Sequence, residues 1–228
     1  SLAGFLAVAG DLDLKPLGVW PEVVLSDSLR RPDGVLVNGR FFQVGVHRGT
    51  SALLALEPRG PNPFQLVGAL PLPDFRQIGI AGPYAVMTGS GRLFVADVSD
   101  ASNPQFKGMT LVPAPGNYDQ AVLAVSGTHA YVIQGTYSPD QFEGRTGRII
   151  VVDFSDPTNP RIVGEHPLPP RAAKWFELAA AECADGVLCV ANSSTDYESP
   201  VQVALDVFDI HDPAQPQWVG KHQAANAD

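Results

Sequence analysis

Apolar residues in this chain fall into short β-branched runs, each closed by glycine, proline or an acidic residue. The stretch Arg148–Glu165, RIIVVDFSDPTNPRIVGE, shows the unit most clearly. Ile149, Ile150, Val151 and Val152 are stiff at χ1 and favour a pleated surface, and a run without alternation predicts a strand covered on both faces. Asp153 closes it. Asp156 can bond the backbone two residues on, and Pro157 presets φ for the second position of a type I turn. Pro160 lacks an N–H and suits the start of an edge strand, which Arg161 to Glu165 then supply.

The unit recurs. Its outer-strand glycine reappears as Gly18, Gly68, Gly108, Gly164 and Gly220, at spacings of 50, 40, 56 and 56 residues. An acidic residue lies eleven positions before four of these glycines, at Glu57, Asp97, Asp153 and Asp209, and the turns between read EPRGPNP, DVSDASNP, DFSDPTNP and DIHDPAQP. Upstream of each turn come two more apolar runs separated by a tight glycine turn, a hairpin signature. The full unit is therefore four antiparallel strands, a to d. A period in this range reads as one blade of a β-propeller. The expected fold is all-β, with four clear blades plus one degenerate N-terminal unit: about five blades, or part of a larger ring. One domain spans 1–228, with units near 1–24, 25–72, 73–113, 114–169 and 170–224. Only the stretch 168–184, through AAKWFELAAAECA, suggests a helical turn.

The segments VVDFSDPTNPRIVG, VADVSDASNPQFKG and VFDIHDPAQPQWVG resemble the LVIVD-repeat family of bacterial and archaeal surface or secreted β-propellers. The resemblance covers about residues 30 to 223 and is weakest over 52–68. It implies the propeller fold and export, and says little about activity.

Composition narrows the partners. The net charge is −9 and the pI about 4.9, so the basic footprint of a nucleic-acid binder is missing. No apolar run reaches the roughly 18 residues of a membrane span. The apolar start lacks the positive region of a signal peptide, and a beginning at Ser1 fits either processing or trimming. Cys183 and Cys189 flank a turn at 184–186; they can bridge in an oxidising compartment or remain buried thiols.

Candidate chemistry separates by face. The c–d turns place Asp97, Asp100, Asp153, Asp156, Asp209 and Asp212 on one side. There they either ligate a hard cation or cap their own turns, and capping accounts for the offsets without a ligand. On the other side, the b–c loops lengthen at one repeat position, to GTYSPDQFEGRTG in the fourth unit and NSSTDYESPVQ in the fifth. Tyr137, Asp140, Phe142, Glu143 and Arg145, with Asp196, Tyr197 and Glu198, mix aromatic and charged groups as interfaces do. Each d–a linker adds an aromatic residue: Trp20, Phe75, Tyr118 and Trp175. These either line a channel mouth or pack it shut. No catalytic motif is present, and Asn192-Ser193-Ser194 matches a glycosylation sequon.

The expectation is a non-catalytic, extracytoplasmic propeller, periplasmic, secreted or at the cell surface. It would serve as a protein-interaction module or accessory subunit, with protein partners, peripheral membrane association at most, and no cofactor beyond a structural divalent cation. Two alternatives stand beside it: a hydrolase or lyase, metal-dependent or not, working in the central channel, and a carbohydrate- or small-ligand-binding propeller. A cytoplasmic location is compatible with the same residues.

Overall fold

The computed structural model of the protein describes residues 34–59, 62–73, 75–113, 120–135, 147–169, 175–195 and 202–223. These residues form sixteen strands in four antiparallel four-stranded sheets. The first sheet contains β1 (Gly34–Val37), β2 (Arg40–His47), β3 (Thr50–Arg59) and β4 (Asn62–Pro71). The second contains β5 (Gln77–Ala81), β6 (Tyr84–Gly89), β7 (Arg92–Asp97) and β8 (Gln105–Leu111). The third contains β9 (Gln120–Ser126), β10 (His129–Gly135), β11 (Gly147–Asp153) and β12 (Arg161–Pro167). The fourth contains β13 (Trp175–Ala184), β14 (Val187–Thr195), β15 (Gln202–Asp209) and β16 (Gln217–Gln223). Within each sheet the strands pair in chain order.

The order follows from the local sequence. Two-residue connections at Asn38-Gly39, Arg48-Gly49, Ser90-Gly91 and Asp185-Gly186 have both central residues at positive φ. That is the type I′ geometry whose twist matches flanking strands. Strands β7 and β11 present buried residues to both faces, at Leu93–Ala96 and Ile149–Val152. The unalternating runs are thus middle strands with a neighbour on either side.

First strands of consecutive sheets lie side by side, β1 by β5, β5 by β9 and β9 by β13, so they form the inner rank of a blade array. The core is divided between the sheets. Phe42, Leu53 and Ala55 of the first pack with Ile78, Met87 and Phe94 of the second. Val86, Leu93 and Val95 meet Val132, Ile150 and Val152 of the third. Tyr131, Ile133 and Val151 then meet Leu188, Val190 and Phe208 of the fourth. Repetition of one blade-on-blade contact is what a propeller requires.

Each outermost strand carries the same irregularity. The register slips between Ala55 and Leu56, Val95 and Ala96, Val151 and Val152, and Val207 and Phe208. The partners flanking the slip are Leu66 and Gly68, Phe106 and Gly108, Ile162 and Gly164, and Trp218 and Gly220. The repeated glycine therefore sits directly after a bulge.

One expectation is corrected, and of the two readings of the cysteines the free thiols are the one found. The alanine-rich run proposed to hold a helical turn is strand β13 over Trp175–Ala184. The cysteines do not face one another: Cys183 opposes Leu188 while Cys189 opposes Glu182, so the side chains lie on opposite faces of the sheet and both thiols are free. A bridge between them needs backbone movement. The degenerate N-terminal unit, residues 1–24, lies outside the described residues.

Candidate functional site

The acidic turns form one side of the array, and their carboxylates act on their own backbone. Asp97 Oδ1 accepts bonds from the Ser99 amide (3.0 Å) and hydroxyl (2.6 Å). Asp100 does the same with Ser102, at 3.0 and 2.6 Å. Asp156 Oδ1 accepts the Thr158 amide at 3.0 Å and its hydroxyl at 2.6 Å, and Asp153 Oδ1 accepts the Ser155 amide at 2.8 Å. In the fourth sheet Asp209 Oδ1 takes the His211 amide at 2.9 Å and its Nδ1 at 2.7 Å, and Asp212 takes the Ala214 amide at 3.2 Å. These bonds to the ionised form hold Asp97, Asp100, Asp153, Asp156 and Asp209 below the usual carboxylate range.

Main-chain bonds complete the turns. Asn103, Asn159 and Gln215 each donate to the aspartate carbonyl three residues back, at 3.0 Å. Lys107 and Arg161 pair with Asp97 and Asp153 from the following strand. The first sheet differs, because Glu57 lies within β3 and pairs with Arg40 at 2.8 Å instead of capping a turn. Among the described residues no three His, Cys, Asp or Glu side chains gather as metal ligands.

On the opposite side, β2–β3 and β6–β7 are joined by two-residue turns, whereas β10–β11 and β14–β15 are joined by residues 136–146 and 196–201. The long connections leave neighbouring sheets at equivalent positions. Tyr118, Tyr137, Asp140, Phe142, Glu143, Arg145, Asp196, Tyr197 and Glu198 lie outside the described residues, as does Trp20. Trp175 opens β13, on the inner rank. Phe75 packs rather than lining an opening: it is buried and meets the Phe94 ring edge-on, with centroids 5.4 Å apart.

The described residues next to the long connections form polar clusters that strand patterning did not single out. Arg148, second residue of β11, donates from Nε to Gln134 Oε1 (3.0 Å), from Nη1 to Glu165 (2.8 Å) and from Nη2 to the Pro113 carbonyl (2.7 Å). The last bond crosses from the third sheet to the linker leaving the second. In the fourth sheet, Asn192 and Asp206 are buried, and Asn192 Nδ2 donates to Asp206 Oδ2 at 2.9 Å and to the Val190 carbonyl at 3.2 Å. Asn192 is therefore no glycosylation acceptor in the folded protein. A charge inside an otherwise apolar strand, as in VALDVFD, was the sequence signal for this pair.

A family model for the LVIVD repeat matches residues 74–112 and 145–166, which are the second sheet and the c–d hairpin of the third. These two stretches match the LVIVD repeat. A crystal structure of a Lactobacillus plantarum protein superposes with a TM-score of 0.57 at 14% identity, covering 80% of this chain and 54% of its own. The periplasmic gluconolactonase of Pseudomonas aeruginosa gives a TM-score of 0.52 at 14% identity, covering 83% of this chain and 56% of its own. At that identity the likeness is one of fold, and the chain spans about half the length of both structures. No curated protein sequence matches it.

Proposed function

We propose that these LVIVD blades form a non-catalytic, extracytoplasmic interaction module, an accessory subunit that docks a protein partner through the b–c side. The supporting observation is the asymmetry between the two sides. On the c–d side the carboxylates are engaged by their own turns. On the b–c side two adjacent sheets replace two-residue turns with connections of eleven and six residues, 136–146 and 196–201. Side-by-side insertions on one face of a repeat array are where binding surfaces arise. Their Tyr, Phe and Arg content suits interface anchors.

The test replaces both connections by the Ser90-Gly91 turn of the second sheet. A partner cross-linked to the intact protein should be lost from the shortened one, while the circular dichroism spectrum and thermal midpoint are retained. A partner that still binds the shortened protein overturns the reading. The enzymatic alternative takes its most concrete form from the gluconolactonase likeness. Lactone hydrolysis by the purified chain, surviving the same shortening, would replace the interaction reading with a channel-sited hydrolase.

A further inference from the structure

The repeated glycines show how one sheet holds the next. A Cβ on Gly68 would fall on the Ala101 carbonyl of the second sheet's turn. A Cβ on Gly108 would lie 2.6 Å from the Pro157 carbonyl of the third, and one on Gly164 2.6 Å from the Ala214 carbonyl of the fourth. In all three cases the post-bulge glycine receives a main-chain carbonyl from the acidic turn of the following sheet. At the third contact His166, two residues on, donates from Nε2 to the same Ala214 carbonyl at 2.9 Å. A carbonyl only accepts, so Nε2 carries the proton.

The fourth sheet repeats this receptor in sequence and register. Gly164-Glu165-His166 becomes Gly220-Lys221-His222, with Gly220 opposite Val207 just as Gly164 is opposite Val151. Yet among the described residues nothing lies within 4 Å of a Cβ built on Gly220, and His222 is exposed. The surrounding face is uncovered to match. Val151 is 0% exposed and Val163 packs on the core, whereas Val207 and Leu205 are half-buried and Val203 and Val219 are 44% and 67% exposed.

We infer that the outer face of the fourth sheet is an acceptor for a further LVIVD-type blade from outside these 228 residues, whose acidic turn places a carbonyl against Gly220 and within reach of His222. Three observations select this occupant over a generic apolar partner. The Gly-x-His pair matches the one that receives a turn carbonyl a sheet earlier. The contact rule holds at every junction between described sheets. The structures sharing the fold are about twice as long as the span of this chain they match, which leaves length for further sheets.

The matching turn is that of the fourth repeat, which the third sheet's pair already receives. The test therefore compares the 228-residue chain with one extended after Asp228 by a duplicate of residues 170–223. The unextended chain should be a monomer by light scattering, and Gly220→Val should leave its thermal midpoint unchanged. The extension should resist protease and raise the midpoint by about 5 °C or more. Gly220→Val should abolish that gain and His222→Ala should reduce it.

A protease-sensitive extension, or a gain indifferent to Gly220→Val, overturns the proposal. A Gly220-dependent dimer of the unextended chain assigns the face to a second copy and also overturns it. Destabilisation of the monomeric, unextended chain by Gly220→Val assigns the face to this chain's own residues and does the same.

Discussion

In the second and third sheets the aspartate opening each turn uses one oxygen to fix the turn and the other to reach a cation on the next strand. Asp153 is the fullest case, bonding the Ser155 amide through Oδ1 and Arg161 through Oδ2. Asp153→Ala removes both, and a hydrogen bond to a charged group contributes about 1.5–3 kcal/mol before solvent screening of the partly exposed Arg161 is allowed for. A loss of about 1–2 kcal/mol in denaturant unfolding is expected. The turn carboxylates also set an acid limit. Their folded pKa values lie below the unfolded ones, so their stabilisation is complete above the unfolded value of about 3.9 and disappears as pH falls through the folded values. The thermal midpoint should be flat from neutrality to about pH 5 and fall below about pH 4, less steeply in Asp153→Asn. Cys183 behaves oppositely to this charged set. Burial, followed by the nearby Glu182 carboxylate, pushes the Cys183 thiol up to about 12. Reductant should leave the intact mass unchanged, and Cys183 should resist alkylation at pH 8 until the chain unfolds. Turn capping was legible because Asp, Pro and Ser or Thr recur at offsets that an Asx-turn explains without a ligand. The separation of the cysteines was not, since one residue of register decides which face a side chain takes.

At the level of strands, the same bulge appears four times, and at three of them it turns a recurring spacing into a contact surface. At Gly68, Gly108 and Gly164 the slip places glycine where the outer strand passes under the neighbouring turn, and a side chain there meets a main-chain carbonyl. Gly164→Val should destabilise by about 1–3 kcal/mol, the usual range for forcing extra carbons into a packed site. Its signature would be selective: loss of protection in β12 and in the 210–216 turn that it receives, read by hydrogen exchange. The sequence displayed the glycines and their spacing but not their direction, because which blade supplies the opposing carbonyl is a property of the assembled array. The alanine-rich β13 was misread for a related reason. Ala and Glu favour a helix intrinsically, yet β13 lies against β9 in the inner rank. Small side chains suit that close approach, and tertiary packing overrides propensity. The Arg148–Gln134 pair was hidden because patterning identifies apolar faces and passes over polar residues near strand ends, whereas Asp206 was visible as a charge inside an apolar strand but its partner Asn192 was not.

Across the whole array, stability should follow position rather than composition. Among the described residues the apolar clusters join each sheet to its neighbours in chain order, so the free energy approximates a sum of sheet terms and junction terms, as in other repeat proteins. The second and third sheets are clamped on both sides by apolar junctions: Val86, Leu93 and Val95 meet Val132, Ile150 and Val152, while Phe94 and Val151 face outward into the other two junctions. Among the described residues the fourth has one such junction and an outer face without a neighbour. Hydrogen exchange should therefore be slowest in β6, β7, β10 and β11 and fastest in β16, although β16 is fully paired to β15. Truncation at the central junction, Ile150→Ala, removes a fully buried side chain and should cost about 2–5 kcal/mol. Because that junction couples the two best-protected sheets, the variant should raise exchange in both together. Ala191→Gly on the open-faced fourth sheet should be felt locally. Equal protection in β16 and β11, or a Ile150→Ala effect confined to the third sheet, would show that the blades are held by something other than nearest-neighbour packing. If the fourth sheet is an acceptor, joining a further blade to it should slow exchange in β16 toward the rate of β12, its counterpart one junction earlier.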